Sequence, residues 1–308
     1  MRSFKSIIKH WLQRKFMTAG GIFSDHLAFR FSYAIRAEHL NNCALNSVDS
    51  GVSDNKYCNN EFIVSLTTYD RRLYEVYLAI ESIMQQTMKP NKIVLWLSDD
   101  LKNVNLPSLL RNQQKRGLEI RFCKDIRSYK KLIPSLKTYP DAAIITIDDD
   151  VLYNFDLIES FIRSHMENPG VVYSAKMHRI KLLKNGNLEK YKKWKEKYES
   201  FDLSPLNFPT GIGGILYPPN CFNSEIFNED VYMNICKFND DIWFKAMSLY
   251  NGTMSGKIFT HSKSGEDHLS NDKAQVISLS HINIDKNMND VQLKAVFDKY
   301  DLYGKLRR

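Results

Sequence analysis

The hydrophobic pattern divides the central part of the chain into short apolar runs and longer amphipathic stretches. The runs have the length and the β-branched content of strands that are covered on both faces. They are Phe62–Leu66, Ile93–Leu97 and Ala142–Ile147. Leu118–Phe122, which alternates apolar with charged residues, is a further predicted strand. Between them, Leu73–Met84 and Leu106–Arg116 repeat apolar residues at helical spacing. Strands that alternate with helices predict an α/β fold with a mostly parallel sheet.

The last apolar run leads directly into three consecutive carboxylates, Asp148, Asp149 and Asp150. Parallel sheets open into a ligand crevice at the carboxyl ends of their strands, so we expect the acids there. Carboxylates this close repel one another unless a cation lies among them, and Mg²⁺ and Mn²⁺ prefer carboxylate oxygens. The alternative is a solvated acidic turn before a helix that begins near Phe155. One capping acid suffices for such a turn, so the pattern favours a metal site.

Four further segments belong to the same motif set as this Asp-x-Asp sequence. The first strand continues into Thr67-Thr68-Tyr69, and the later segments are Tyr129–Pro134, Gly213–Pro219 and Asp240–Trp243. Together they resemble GT-A-type glycosyltransferases, in particular a bacterial family-2-like group that builds surface polysaccharide or lipopolysaccharide. The resemblance covers the chain from Glu61 to Tyr300.

The resemblance implies a GT-A-like, Rossmann-like sheet flanked by helices, and a nucleotide-sugar donor. Asp148 and Asp150 would hold Mn²⁺ or Mg²⁺ against the donor diphosphate, with Asp148 near the ribose as well. Asp99, at the end of the second strand, would accept the N–H of a uracil, which favours a UDP-sugar. The residues expected to bind the nucleotide-sugar are Thr67, Tyr69, Arg71, Asp99, Lys131, Asp148, Asp149, Gly213 and Gly214.

An acidic pair, Asp240 and Asp241, precedes a helical pattern that starts at Ile242. Either residue is a suitable helix cap. An inverting transfer instead requires a carboxylate within hydrogen-bond reach of the acceptor hydroxyl. The resemblance aligns the family's base with Asp241, while the assignment between Asp240 and Asp241 stays open.

The net charge of +8 is concentrated in two segments. Residues 1–40 contain seven basic and two acidic residues, and residues 176–198 contain nine basic and two acidic residues. Residues 1–16 form a basic amphipathic pattern, which suits either an anionic membrane surface or packing on the protein itself. Nucleic acid is not expected as a partner, because the basicity is local and no base-reading motif is present.

The predicted organisation is a basic helical extension and linker over residues 1–60 and a catalytic domain over residues 61–308. Five scattered cysteines without a Cys-x-x-Cys pair favour a reducing compartment. No apolar run approaches the ~20 residues that cross a bilayer. We therefore expect a cytoplasmic protein, with peripheral attachment to the cytoplasmic face of the membrane as an option. His261, His268 and His281 are candidates for a third metal ligand, and the sequence favours none of them.

The sequence thus predicts a metal-dependent, inverting glycosyltransferase with a glycan or lipid-linked acceptor. A nucleotidyltransferase is the alternative among enzymes, although its Gly-rich, basic phosphate loop is missing after the first strand. A non-catalytic module that binds carbohydrate or membrane is the alternative outside enzymes.

Overall fold

The computed structural model describes residues 27–194, 202–260, 268–270 and 287–307. Its main sheet has seven strands. They are β1 (Phe62–Thr67), β2 (Lys92–Ser98), β3 (Leu118–Cys123), β4 (Ala143–Thr146), β6 (Val172–Ser174), β9 (Ile215–Tyr217) and β10 (Ser255–Lys257). Two short antiparallel pairs join β5 (Val151–Tyr153) to β11 (His268–Ser270) and β7 (Met177–Arg179) to β8 (Asn207–Pro209).

The strand order in the main sheet is β10-β6-β9-β4-β1-β2-β3. Every neighbouring pair is parallel except that β9 runs antiparallel to both β4 and β6. The strands β1, β2 and β4 are almost completely buried, as their apolar runs require. The predicted α/β fold with a mostly parallel sheet is confirmed.

Helices cover both faces of the sheet. The helices are α1 (residues 27–46), α2 (Val76–Met84), α3 (Ser108–Gln114), α4 (Ile133–Thr138), α5 (Leu157–Glu167), α6 (Glu229–Ile235), α7 (Asp240–Tyr250) and α8 (Met288–Tyr300). One core packs α2, α3 and α5 on the sheet, and the other packs α4, α6, α7 and α8 on the opposite face. The carboxyl ends of β1, β2 and β4 therefore meet at one edge between these two layers.

The segment before the sheet is bound to the domain. Helix α1 extends to residue 46, and Leu40 and Ala44 are buried. After it, Gly51 donates its N–H to the carbonyl of Arg116 and Ser53 donates to that of Pro90. In the described part of the chain, no helix combines the length and the apolarity of a membrane span.

Within the basic segment, residues 182–188 form a short hairpin around the Asn185-Gly186 pair. Leu182 and Leu188 bridge its two arms, and Gly186 adopts a positive φ in the turn. Tyr191 and Trp194 are buried and pack against Phe208. These aromatic rings belong to the core, and residues 195–201 lie outside the described residues.

Candidate functional site

The acidic triplet lies where β4 leaves the sheet. The N–H of Ile147 donates to the carbonyl of Ser65 on β1, and the N–H of Asp148 donates to the hydroxyl of Tyr153 at 2.9 Å. The side chains of Asp148 and Asp150 are 29% and 11% exposed. Two acids predicted as metal ligands therefore face a partly solvated crevice at the sheet edge.

Arg72 connects Asp149 and Asp150 of the triplet. Its guanidinium lies 2.7 Å from Asp149 and 3.2 Å from Asp150, and Asp149 also accepts a 2.6 Å hydrogen bond from Thr68. Burial raises the pKa of Asp149, and Arg72 and Thr68 act against that increase. Asp149 is thus tied to the turn after β1, while Asp150 keeps an edge towards the crevice.

The surroundings of Asp150 disfavour its charged form. Burial, followed by the charge of Asp148, raises the pKa of Asp150 to about 7 although Arg72 opposes both effects. Neighbouring carboxylates in a poorly solvated place disfavour full ionisation. A divalent cation between Asp148 and Asp150 would relieve this repulsion.

Lys131 joins the triplet to the acidic pair on α7. Its ammonium donates to Asp148 Oδ1 at 2.9 Å and lies 3.2 Å from Asp240 Oδ2, where it forms an ion pair. Burial lowers the pKa of Lys131, but Asp148, Asp240 and Asp241 outweigh burial and hold that pKa well above its usual value. The lysine is 6% exposed. It therefore fixes two groups of acids relative to each other and is enclosed by them.

Asp241 differs from Asp240 in its contacts. Its Oδ2 accepts the N–H of Gly211 at 2.9 Å, while its Oδ1 is buried and accepts no hydrogen bond in the described part of the chain. Burial raises the pKa of Asp241 to about 7; Lys131 lowers it, and Asp240 and Asp148 raise it further. The side chain of Asn239, the residue before the pair, caps α7 by accepting the N–H of Ile242. The helix therefore does not need either acid as its cap.

The remaining residues expected to bind the donor lie along the same sheet edge. Thr67 donates its hydroxyl to the carbonyl of Trp96, Tyr69 is 50% exposed beneath Arg72, and Arg71 is exposed in the following turn. Asp99 follows β2 and forms an exposed ion pair with Lys102. These four residues therefore lie along one rim of the crevice. Their contacts do not show which ligand they bind.

The glycines between β8 and β9 have separate structural roles. A side chain on Gly213 would collide with the backbone of Lys176 at 2.4 Å, and Gly214 adopts a φ of +75°. Gly211, which the sequence did not single out, is the one beside the acids. A Cβ there would lie 2.9 Å from the ammonium of Lys131 and 3.1 Å from Asp241 Oδ1.

His268 is the histidine that the structure brings to the site. It lies opposite Tyr153 in the β5–β11 pair, and its buried Nδ1 has no hydrogen-bond partner in the described residues. Burial, followed by the charge of Lys176, lowers the pKa of His268 to about 4, while Asp148 opposes them. The imidazole is therefore neutral and able to donate a lone pair. His261 and His281 lie outside the described residues.

Sequence reasoning missed Arg72 and could not distinguish His268 from the two other candidate histidines. Arg72 follows Arg71, and only the 3-10 turn at Asp70–Tyr74 decides which guanidinium turns towards the acids. His268 was one of three equivalent candidates until strand pairing placed it near Asp148. Its position in a short β-prone segment, His268-Leu269-Ser270, was the available signal.

The donor types at this edge suit a hard divalent cation. Asp148 and Asp150 supply carboxylates, and His268 supplies a neutral imidazole whose Nδ1 accepts no hydrogen bond from any described residue. Within the described residues, no three acidic, histidine or cysteine side chains converge as a complete metal cluster. The residues therefore fit an ion held by few protein ligands, whose other positions are filled by phosphate oxygens or water.

Comparisons with known proteins give fold-level similarities. No family model matches the chain, and no curated protein matches it. A mannosyltransferase from Pyrobaculum calidifontis, solved with GDP-Man and Mn²⁺, is 13% identical with a TM-score of 0.40, and the match covers 79% of this chain and 67% of that one. S. aureus TarS 1–349 is 11% identical with a TM-score of 0.43, covering 78% of this chain and 72% of that one.

An inositol-1-phosphate CTP transferase from T. maritima is also similar in structure. It is 13% identical with a TM-score of 0.39, and the match covers 73% of this chain and 96% of that one. Values this low define neither the reaction nor the ligands of this chain.

Proposed function

We propose that this protein is a metal-dependent glycosyltransferase that moves a sugar from a nucleotide-sugar, UDP-linked in the first instance, to a hydroxyl of a glycan or lipid-linked acceptor. The observation that carries the proposal is the buried Lys131. It contacts Asp148 of the triplet and Asp240 of the pair on α7. A cation-binding edge and a candidate base are thereby held at a fixed distance, as a transfer between two bound substrates requires.

In this proposal Asp241 accepts the proton of the acceptor hydroxyl. The acceptor oxygen then forms a bond to the anomeric carbon while the bond from that carbon to the diphosphate oxygen breaks on the opposite face. A bound Mn²⁺ or Mg²⁺ supplies charge stabilisation for the departing diphosphate. Asp148 and Asp150 would hold this ion, with His268 as a candidate third ligand.

Arg72 and Lys131 form different ion pairs with the acids of the site. Arg72 contacts both Asp149 and Asp150, and Lys131 forms ion pairs with Asp148 and Asp240. Asp241 is left with an oxygen that no described residue binds. Asp240 Oδ2, which lies 3.2 Å from Lys131, likewise accepts no hydrogen bond from the described residues, so the preference for Asp241 as the base rests on the sequence resemblance.

The decisive experiment is a donor screen on the purified full chain. UDP-, GDP- and CMP-sugars are incubated with Mn²⁺, and release of the free nucleotide is measured with and without EDTA. We expect hydrolysis of one donor class that EDTA abolishes. Absence of any donor hydrolysis, together with pyrophosphate release from CTP or UTP and a sugar phosphate, would replace the proposal with a nucleotidyltransferase.

The proposed location is the cytoplasm, with attachment to an anionic membrane surface through residues 1–16. These residues lie outside the described ones, and the proposal rests on their basic amphipathic pattern alone. The role in bacterial surface polysaccharide synthesis rests on the sequence resemblance.

A further inference from the structure

Arg72 is bound to the acidic triplet by two contacts of different strength. Its Nη1 lies 2.7 Å from Asp149 Oδ1, whereas its Nη2 lies 3.2 Å from Asp150 Oδ2. Hydrogen bonds between a guanidinium and a carboxylate are typically about 2.7–2.9 Å long, so the contact with Asp149 is the stronger one. Thr68 holds the second oxygen of Asp149 at 2.6 Å. The inner arm of the guanidinium, Nη1, is thus fixed at Asp149, and the outer arm, Nη2, is held loosely at Asp150.

The backbone of Arg72 is anchored, so its side chain is the part that can move. Arg72 lies in the 3-10 turn Asp70–Tyr74, and its neighbour Leu73 is buried in the core. Asp70 adopts a φ of +49°, a conformation that non-glycine residues keep where the surrounding structure fixes it. The guanidinium lies over the half-exposed ring of Tyr69, at 5.4 Å from the ring centroid. A rotation of the side chain over this ring therefore moves the outer arm along the rim of the crevice.

The outer arm contacts the same carboxylate that the proposed cation requires. Divalent ions bind carboxylate oxygens directly, and Asp150 Oδ2 already has a positive charge beside it. Two cations on one carboxylate repel each other, and the side chain of Asp150 is too buried for water to screen them well. Arg72 and the ion therefore compete for Asp150, whereas Asp149 remains available to Arg72 throughout.

An outer arm that leaves Asp150 stays at the rim, because the inner arm remains on Asp149. Guanidinium groups are well suited to phosphate oxygens, and a diphosphate held by the ion brings such oxygens to this edge. Lys131 is less suited to the same task, because it is enclosed between Asp148 and Asp240. The phosphate group is thus the natural second partner of the outer arm.

We propose that Arg72 is an exchange residue, which gives up Asp150 to the divalent ion and transfers its outer arm to the diphosphate of the donor. Arg72 then weakens the binding of the ion alone and strengthens the binding of the diphosphate in the presence of the ion. The two ligands bind cooperatively, because the ion releases the arm that the diphosphate uses. This inference rests on the metal role of Asp150 in the proposed function and is independent of the sugar and of the acceptor.

The first test measures Mn²⁺ binding to the purified full chain without nucleotide, from the electron paramagnetic resonance signal of free Mn²⁺. Arg72→Gln is compared with Arg71→Gln, which removes the same charge from the neighbouring, exposed residue. We expect Arg72→Gln to bind Mn²⁺ about tenfold more tightly than wild type. Arg71→Gln should change the affinity by less than about twofold, because exposed charges are screened.

Two results of this measurement would overturn the exchange. Equal or weaker Mn²⁺ binding by Arg72→Gln would show that Arg72 positions Asp150 for the ion. Equal tightening in both variants would show a general effect of charge. Arg72→Lys keeps a cation for the buried Asp149 but has no second arm, so it carries the same expectation if Arg72→Gln has a lowered Tm.

The second test measures the coupling between the ion and the diphosphate. UDP, or the nucleoside diphosphate that the donor screen selects, is titrated calorimetrically with and without Mn²⁺. Wild type should bind it more tightly with Mn²⁺, and the Arg72 variants should lose about tenfold of this enhancement. An undiminished enhancement would contradict the transfer of the arm to the diphosphate. Absence of Mn²⁺ binding by wild type would remove the metal role in the proposed function as well, whereas Mn²⁺ binding that no Arg72 variant tightens would remove the exchange alone.

Discussion

At the scale of single residues, Asp241 and Asp240 are adjacent but have different surroundings. Asp240 is paired with Lys131, while Asp241 has one oxygen on the N–H of Gly211 and one that no described residue binds. Asp240 Oδ2 also accepts no hydrogen bond from the described residues, and Lys131 lowers the pKa of Asp241 as well. The sequence-based preference for Asp241 therefore stays a prediction.

Asp241→Asn should lower the rate of transfer by about 10²-fold or more while donor binding is preserved. The change is nearly isosteric, and the amide oxygen can still accept the N–H of Gly211. Transfer rate and donor Kd are the measurements. Asp240→Asn is the matched comparison and should reduce the rate less. The reverse order would assign the base to Asp240.

The pH profile provides a second measurement for the same assignment. Only the deprotonated carboxylate accepts a proton, and the pKa of Asp241 is raised to about 7. The wild-type kcat/KM should therefore increase as pH rises through about 7 and then level off. Asp241→Asn should lose this dependence, and a base elsewhere would leave it in place.

Asp150→Ala should abolish transfer and weaken nucleoside diphosphate binding in the presence of Mn²⁺, because diphosphate affinity depends on the bridging cation. The fold should survive, since Arg72 keeps its 2.7 Å contact with Asp149. Calorimetric titration with UDP, with and without Mn²⁺, measures the effect. Asp100→Ala, which removes an exposed acid near the same sheet edge, is the control. Unchanged Mn²⁺-dependent binding by Asp150→Ala would remove the metal role.

At the scale of elements, the turn Gly211–Gly213 forms the floor beneath the two acidic groups. Gly211→Ala places a Cβ 2.9 Å from Lys131 Nζ and 3.1 Å from Asp241 Oδ1, so one of these side chains must move. We expect a loss of about tenfold to 10²-fold in kcat, because small displacements of reacting groups have large effects on rate. Gly170→Ala, at a glycine with open space around it, should leave the rate unchanged. Equal rates for both variants would show that the turn tolerates the added group.

The contact between α2 and the end of α3 stabilises the layer on the other face. Glu81 and Arg116 form a fully buried pair with contacts of 2.8 and 2.9 Å, and Gln113 adds a hydrogen bond. Glu81→Gln leaves the guanidinium without its charge partner and should lower the free energy of unfolding by about 3–5 kcal/mol. Denaturant unfolding measures this change.

Glu159 and Arg163 on α5 provide the comparison, since they form a pair at 2.7 Å, one helical turn apart, that is much more accessible to solvent. Glu159→Gln should cost only about 0.3–0.5 kcal/mol. Similar losses for both variants would mean that solvent reaches the Glu81 pair in the native state.

At the scale of the whole molecule, the basic start of the chain is expected to set where the protein works. Deletion of residues 2–16 should release the protein from anionic vesicles and slow transfer to a lipid-linked acceptor, because apolar and basic residues are lost together. Donor hydrolysis should change little, since the donor edge is built from β1 onwards. Vesicle sedimentation and paired assays with lipid-linked and soluble acceptors measure these effects.

The competing account is that residues 2–16 pack on the catalytic domain. It predicts a lower Tm after the deletion and similar losses with every acceptor. Equal vesicle binding by the deleted and complete chains would exclude membrane attachment through these residues and leave the packing account.

Local sequence determined the elements and the position of the acidic edge. The apolar runs at β1, β2 and β4 specify buried strands, because side-chain burial on both faces leaves a pattern that is readable over a few residues. The acids follow β4 directly in the chain, so they had to lie at its carboxyl end. These features depend on neighbours in the chain, and sequence predicts them well.

Tertiary structure decided which side chains meet. Lys131, which the resemblance places at the donor site, is enclosed between Asp148 and Asp240, and Arg72 contacts Asp149 from a turn that lies far away in sequence. His268 pairs with Tyr153, three residues after the triplet. The antiparallel insertion of β9 between β4 and β6 could not be predicted from the sequence either. Contacts of this kind join residues far apart in sequence, and their geometry depends on packing that no local pattern records.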